Sequence, residues 1–486
     1  MKLHKIFNFG LLAAGSFFLA ACGGGAEAPV SDPAPIDPPA LTGDQTEQGD
    51  NATQPTLSLE GTLNIASFTD EAYTWAAAFQ GEHPNLNINV EVVPMDNAAF
   101  QEWLMPQLAL GGSIPDVIFL EAEFIRQFVE TPFLRDLSHL VPEANALDIF
   151  QFTIDAGTYN GEVRAFSHQA TPGVMYFRRS MAERYLGTSD PAEVQEFFRD
   201  LDSTIEAARL IRDGSDGQSF LVPGVFEFFR GFGANRQQPW IVDNTLTIDP
   251  LMMDFIDFAR TLNEEGLQAQ ISAWSGPWFS SMNDDVVDAH GNPIQVFAYL
   301  LPTWGLPFII LPNAEDTAGD WGVIESPLPY QWGGTWMAVT RDASNPEAAE
   351  EFIRFAVLND ETQERWATGY FTNERLRQID PSLPDSVYQG PGDLISSRIV
   401  AERIAPSFST GPLVEFLGGQ NPYEIFARLA PNVSLALMQG TDAAIGDRWQ
   451  DAVGAYIEGQ LGSVEELLQS FRNDVSIVLP NVDLGN

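Results

Sequence analysis

Twice between residues 61 and 92 the chain alternates apolar and polar side chains, in GTLNIASF and in LNINVEV. Between the two lies EAYTWAAAFQGE, which carries a helical pattern. A strand, a helix and a strand in that order form a βαβ unit, whose crossover sets the strands parallel and lays the helix on the sheet. A second helical pattern over residues 100–110 ends at Gly111-Gly112. After Asp116 the run Val117-Ile118-Phe119-Leu120 is apolar without interruption, as in a parallel strand covered on both faces. Helical patterns recur at 181–184, 192–212 and 252–265, the last running into Gly266. The alternation predicts an α/β fold. Hydrophobic residues make up 44% of the 486, and the part from residue 58 onward is long enough for two domains around a large core.

The chain holds one cysteine, Cys22, so neither an internal disulfide nor a Cys-rich zinc site can form. Lys2 and Lys5 precede an apolar stretch over residues 6–21 that only Asn8 and Ser16 interrupt, which is the charged and apolar pattern of an export signal. It is shorter than the about 20 apolar residues that cross a bilayer. Leu19-Ala20-Ala21-Cys22 resembles the lipobox of bacterial lipoproteins, where the preceding segment is removed and the Cys carries diacylglycerol. Residues 1–21 are therefore expected as a lipoprotein signal peptide and Cys22 as the lipidation site. Residues 22–57, rich in Gly, Ala, Pro, Asp, Thr and Gln, are expected as a disordered tether, because they offer too little apolar surface to offset the entropy of ordering. A flexible coil of that length reaches on the order of 30 Å.

The net charge is −43, which excludes nucleic acid as a partner, since phosphate contacts need clustered Lys and Arg. Lys2 and Lys5 are the only lysines. Once the signal is removed there is none for a P-loop, a pyridoxal Schiff base or a Ser-Lys hydrolase. Neither G-x-S-x-G nor H-E-x-x-H occurs, and His83, His139, His168 and His290 lie far apart in sequence. No cofactor and no metal is expected. Carboxylates are abundant, so a glycosidase pair stays open at this level. A binder of a cationic ligand such as a polyamine also stays open, favoured by the charge.

Five stretches then occur in a recognisable order: ASFTDEAYTWAAAFQGEHPNLNINVEVVP, GGSIPDVIFLEAEFIRQFVETPFLRDL, YNGEVRAFSHQATPGVMYFRRSM, GGTWMAVTRDASNPEAAEEFIRFAVLNDETQERWA and FLGGQNPYEIFARLA. Together, behind a lipobox, they resemble the extracellular solute-binding proteins of family 1, the sugar-binding lipoproteins of ABC importers. The resemblance covers the chain after the tether. It implies a two-lobed, type II periplasmic-binding-protein-like α/β fold with a hinge and an interlobe cleft. The first lobe would comprise about 59–166 and 336–380, the second about 171–332 and 381–486. It further implies a carbohydrate ligand without turnover, ABC permease transmembrane subunits as partners, a lipid anchor on the extracytoplasmic face, and a monomer. Residues 284–293 match no family stretch. The turn chemistry of His290-Gly291-Asn292-Pro293 suggests a hairpin there, and the spacing of a calcium loop is absent.

A sugar offers apolar C–H faces rimmed by hydroxyls, so its site needs aromatic platforms with carboxylate and amide partners. The chain has 11 Trp. Trp304, in LLPTWGLP, and Trp336, in GGTWMAV, fall where the resemblance places aromatic residues near the cleft and the crossover. Trp278, with Trp274, lies in the Gly/Pro-broken SAWSGPWF. Polar partners are expected after the C-terminal ends of strands. Glu121 is such a residue, followed by Glu123 and Phe124, and Ser67 and Thr69 end the first strand in the same way. Many relatives carry Asp for Glu121 and Trp for Phe124. Tyr176 matches the family's tyrosine-rich strand, in which Phe177 replaces a second Tyr. Asp116 is expected to orient its loop.

Overall fold

The computed structural model describes residues 59–94, 98–111, 114–383 and 393–485. The signal segment, Cys22, the tether and Gly112 lie outside the described residues.

The strands Leu86–Val92, Gly61–Ser67 and Val117–Glu121 lie side by side and parallel, as the βαβ pattern requires. The sheet continues with Thr335–Val339, antiparallel to Val117–Glu121, and ends on Phe166–Ser167. Alternate residues feed two cores. Leu63, Ile65, Val117, Phe119, Met337 and Val339 face one, while Ala66, Ile118, Leu120, Trp336 and Ala338 face the other. The helix Glu71–Glu82 covers the first face, where Trp75 stacks on Trp366 with ring centroids 4.1 Å apart. The helix Ala99–Leu110 covers the second through Phe100, Leu104 and Leu108, one turn apart, and stops at Gly111, whose φ of 76° suits glycine. Asp116 is fully buried and orients its loop as expected. It accepts from the Asn64 amide N–H at 2.8 Å, the Ser344 hydroxyl at 2.9 Å and the Asn345 N–H at 2.9 Å.

The second lobe is built on a three-stranded antiparallel sheet, Ala298–Pro302, Gly173–Arg178 and Trp321–Glu325, with the middle strand paired on both sides. The helices Leu201–Gly214, Pro250–Glu264, Asp442–Ile457 and Val464–Val478 pack against it around Phe255, Trp449 and Phe471. The single helix expected over 192–212 is two, Pro191–Gln195 and Leu201–Gly214. The break falls at Asp200, whose carboxylate accepts from the Ser203 N–H at 2.8 Å while the Ser203 hydroxyl receives the Asp200 N–H, a reciprocal cap that starts a new helix.

Two crossing segments run side by side between the lobes, joined by the bridge between Pro172 and Gln331. The crossing is close enough to demand glycine. A Cβ on Gly173 would lie 2.0 Å from the Tyr330 ring, and one on Gly333, at φ 74°, would lie 2.7 Å from the Trp304 indole nitrogen. Residues 393–404, expected with the second lobe, pack on the first. Asp393 accepts from the Trp366 indole at 3.1 Å, the Ser397 N–H is held by Gln363 at 3.1 Å, and Ile395 bridges Gln169. A later helix, Pro422–Leu429, returns to the strand Trp321–Glu325. The expected hairpin is a tight turn: Val287 bridges Pro293, and Asp288 caps the His290 and Asn292 N–H groups at 2.7 and 2.8 Å.

Candidate functional site

The C-terminal ends of the parallel strands place Thr69 and Glu121 together at one edge of the first lobe, as strand geometry in open α/β sheets requires. The Ser67 hydroxyl donates to the Thr69 carbonyl at 2.7 Å and accepts from the Thr69 N–H at 3.1 Å, which fixes the turn and leaves Thr69 half-buried. Glu121 is 7% exposed and accepts from the Glu123 N–H at 2.5 Å. Burial, then the charge of Glu123, hold its carboxyl well above the usual range, against the hydrogen bond from Glu123 and the charge of Arg230.

Glu123 reaches across to the second lobe. Its carboxylate meets the Arg230 guanidinium at 3.3 Å, and Arg230 lies over the Trp332 ring, 3.8 Å from its centroid. Trp332 meets Trp304 edge-to-face at 5.3 Å and Trp274 at 5.7 Å, while Trp274 and Trp304 run nearly parallel at 6.3 Å. The Trp304 indole donates to the Trp332 carbonyl at 3.0 Å, so the crossing backbone orients the ring. All three tryptophans keep part of their surface accessible. Behind them stands Glu227, on the turn Val225–Phe228, accepting from the Trp278 indole and the Leu300 N–H at 3.1 Å each. Burial pushes its carboxyl up to about 7, opposed by those two hydrogen bonds and by Arg230. Glu130 makes a further contact between the two sheets' elements, accepting from the Gly440 N–H at 3.2 Å.

Of the eight candidate ligand residues, Glu123 and Trp304 belong to the chain of contacts that runs through Arg230 and Trp332, and Glu121 and Thr69 lie at the strand edge beside Glu123. The other four are core. Trp336 is fully buried and donates its indole N–H to the Thr153 carbonyl at 2.7 Å, so it offers no platform. Tyr176 is fully buried in the middle strand of the second sheet, its hydroxyl donating to the Pro302 carbonyl at 3.1 Å. Phe124 packs among Phe68, Phe100 and Phe128. Trp278 is fully buried behind Trp274, with centroids 5.3 Å apart. Trp332, Arg230 and Glu227 join these contacts without being among the candidates expected from sequence. Trp332 had a signal, since it directly precedes Gly333-Gly334 and a double glycine at a crossing allows a large ring to lie against backbone. Among the described residues no three His, Cys, Asp or Glu side chains converge as metal ligands.

Residues 74–374 match the family of bacterial extracellular solute-binding proteins, and the chain belongs to that family. Its fold is that of two-lobed sugar-binding proteins of known structure. An extracellular solute-binding protein of family 1 superposes with a TM-score of 0.69 at 19% identity, over 85% of this chain and 98% of that one. The sugar-binding protein MalE from Xanthomonas citri gives 0.63 at 15%, over 86% and 98%. The galacto-N-biose- and lacto-N-biose I-binding protein of an ABC transporter from Bifidobacterium longum, in complex with lacto-N-biose, gives 0.62 at 13%, over 88% and 99%. No curated protein matches the chain in sequence. Membership places the chain outside the cytoplasm, and among the described residues no helix is long and apolar enough to cross a membrane.

Proposed function

We propose that the chain is the lipid-anchored substrate-binding component of an ABC importer, holding a neutral sugar or oligosaccharide between its lobes and handing it to the permease unaltered. The observation that carries this reading is the partly exposed tryptophan cluster of the second lobe, Trp274, Trp304 and Trp332, tied through Arg230 to the acidic strand end of the first. Flat rings on one lobe and carboxylate and hydroxyl groups on the other match the apolar faces and hydroxyl rim of a pyranose. A ligand that touches both lobes favours the closed arrangement over the open one, so binding is expected to shrink the radius of gyration in solution scattering.

The test is a thermal-shift screen over oligosaccharides, since a ligand of the native state alone raises its apparent stability, followed by calorimetry and recovery of the sugar. The sugar should return chemically intact; shortened saccharide would make the protein a glycosidase. Trp332→Ala or Trp304→Ala should weaken binding by about 1 to 3 kcal/mol, roughly five- to 150-fold in Kd, as for truncated aromatic anchors elsewhere. Unchanged affinity in both variants would move the ligand away from this cluster.

The anchor has its own test. Two acyl chains on Cys22 hold a protein stably at a membrane, and Cys22→Ser removes their attachment point. The variant should appear in the soluble exported fraction with the melting behaviour of the wild type. Continued flotation with lipid would rule out lipidation at Cys22.

A further inference from the structure

We infer that Arg230 is a specificity-determining residue: its guanidinium fills an organic-cation site formed by the Trp332 ring and the Glu123 carboxylate, and by filling it keeps amine and guanidine ligands out. The inference rests on reading the interlobe region as the ligand site for a neutral sugar. It concerns which solutes that site refuses.

A site for an organic cation needs an electron-rich ring face, a carboxylate within ion-pair distance and partial exclusion of water. All three meet here. The guanidinium carbon stands 3.8 Å from the Trp332 centroid, well inside the about 6 Å over which a ring attracts a cation. Glu123 lies 3.3 Å away, with about a third of each partner's side chain exposed. Glu121, Glu227 and Asp447 are close enough for the charge of Arg230 to act on their carboxyls. One carboxylate is thus paired with this positive group and the charge of Arg230 reaches three more, on a chain whose net charge of −43 concentrates cations near its surface. Such a place should admit an external ammonium or guanidinium were it empty.

It is not empty, because the cation is part of the chain. Arg230 sits on the short helix Phe229–Ala234, which Phe228 and Phe232 root in the second core against Phe255 and Phe258. A group tethered this way competes at an effective concentration of millimolar or more, so dilute external amines lose to it. A sugar without charge does not compete for the same interaction. It needs ring surface and hydrogen-bond partners, which Trp274, Trp304 and Thr69 still present.

The experiment titrates methylguanidinium chloride and putrescine into the wild-type protein and into Arg230→Ala, with ionic strength held constant by sodium chloride. Tryptophan fluorescence and calorimetry read the binding. The wild type should show no saturable response up to the highest concentration used, and Arg230→Ala should gain saturable one-to-one binding with a Kd at least about tenfold below that concentration. Adding Glu123→Gln or Trp332→Leu to Arg230→Ala should abolish the gain. Arg230→Lys, which keeps the charge in place, should still exclude both amines. Arg230→Gln serves if the alanine variant fails to fold. Wild-type protein that binds the amines as tightly as Arg230→Ala would overturn the inference, as would a folded Arg230→Ala or Arg230→Gln that gains nothing. No sugar enters these arms, so failure of the neutral-sugar reading shows separately, as a thermal-shift screen without a sugar response.

Discussion

Trp336→Ala is expected to cost the folded chain about 3 to 5 kcal/mol while leaving the ligand affinity of the surviving folded fraction unchanged. The side chain is fully buried between the sheet and the segment carrying Thr153, among Leu120, Ile118 and Ala338. Truncation removes an indole's worth of apolar burial, leaves a cavity that a sheet core cannot collapse into, and strands the Thr153 carbonyl without its donor. Urea unfolding of Trp336→Ala and Trp332→Ala side by side separates the two roles. Trp336→Ala should lower the midpoint strongly and Trp332→Ala slightly, while calorimetry with the sugar should rank them in the opposite order. A Trp336→Ala protein of wild-type stability and weakened affinity would return this residue to the site.

The contrast between these tryptophans shows where local reading ends. QWGGTWMAV carries two tryptophans four residues apart, of which only Trp336 is a candidate from sequence, and what separates them is register with a strand more than two hundred positions earlier. Trp336 pairs with Leu120 and shares its face, which an antiparallel neighbour fixes and no local pattern can. The run Val117-Ile118-Phe119-Leu120 says only that both faces are covered. Tyr176 is buried for the same reason, with Tyr299 and Val323 paired on either side of it. What was legible was what short-range physics decides. The period-2 and helical patterns over residues 61–92 fixed a parallel start, and the strand end placed Glu121 and Glu123 at the edge where ligands of such sheets gather. The Glu123–Arg230 pair spans 107 positions, and nothing near either residue announces the other.

The second large effect is expected where the crossing meets the first lobe. Glu71 opens the helix Glu71–Glu82 at 4% exposure, and its carboxylate lies 3.9 Å from Nε2 of His168, which is fully buried in the segment leaving the sheet. Among the described residues neither ring nitrogen of His168 has a hydrogen-bond partner, and the ring sits edge-on to Trp75 and Trp366 at 5.0 and 5.2 Å. Burial pushes the Glu71 carboxyl up to about 8, with the Thr335 hydroxyl opposing and Asp393 and Asp70 adding, and burial alone brings the His168 imidazole down to about 3. Both groups are therefore neutral in the fold at pH 7, though each would be more charged in the unfolded chain. For Glu71 the unfolded state releases its proton from about pH 4.5 upward while the folded state keeps it to about 8, so stability falls as pH rises across that window, by up to about 1.4 kcal/mol per unit. For His168 the folded state refuses a proton that the unfolded state takes below about 6.5, so stability falls as pH drops from there toward 3. Glu71→Gln makes the neutral form permanent at nearly the same shape. Urea unfolding should find it close to wild type at pH 5 and more stable by a few kcal/mol at pH 8, with both proteins sharing the loss below 6.5 that His168 imposes. A gap that does not widen between pH 5 and 8 would mean that Glu71 is ionised in the folded chain and that some cation near the crossing holds it so.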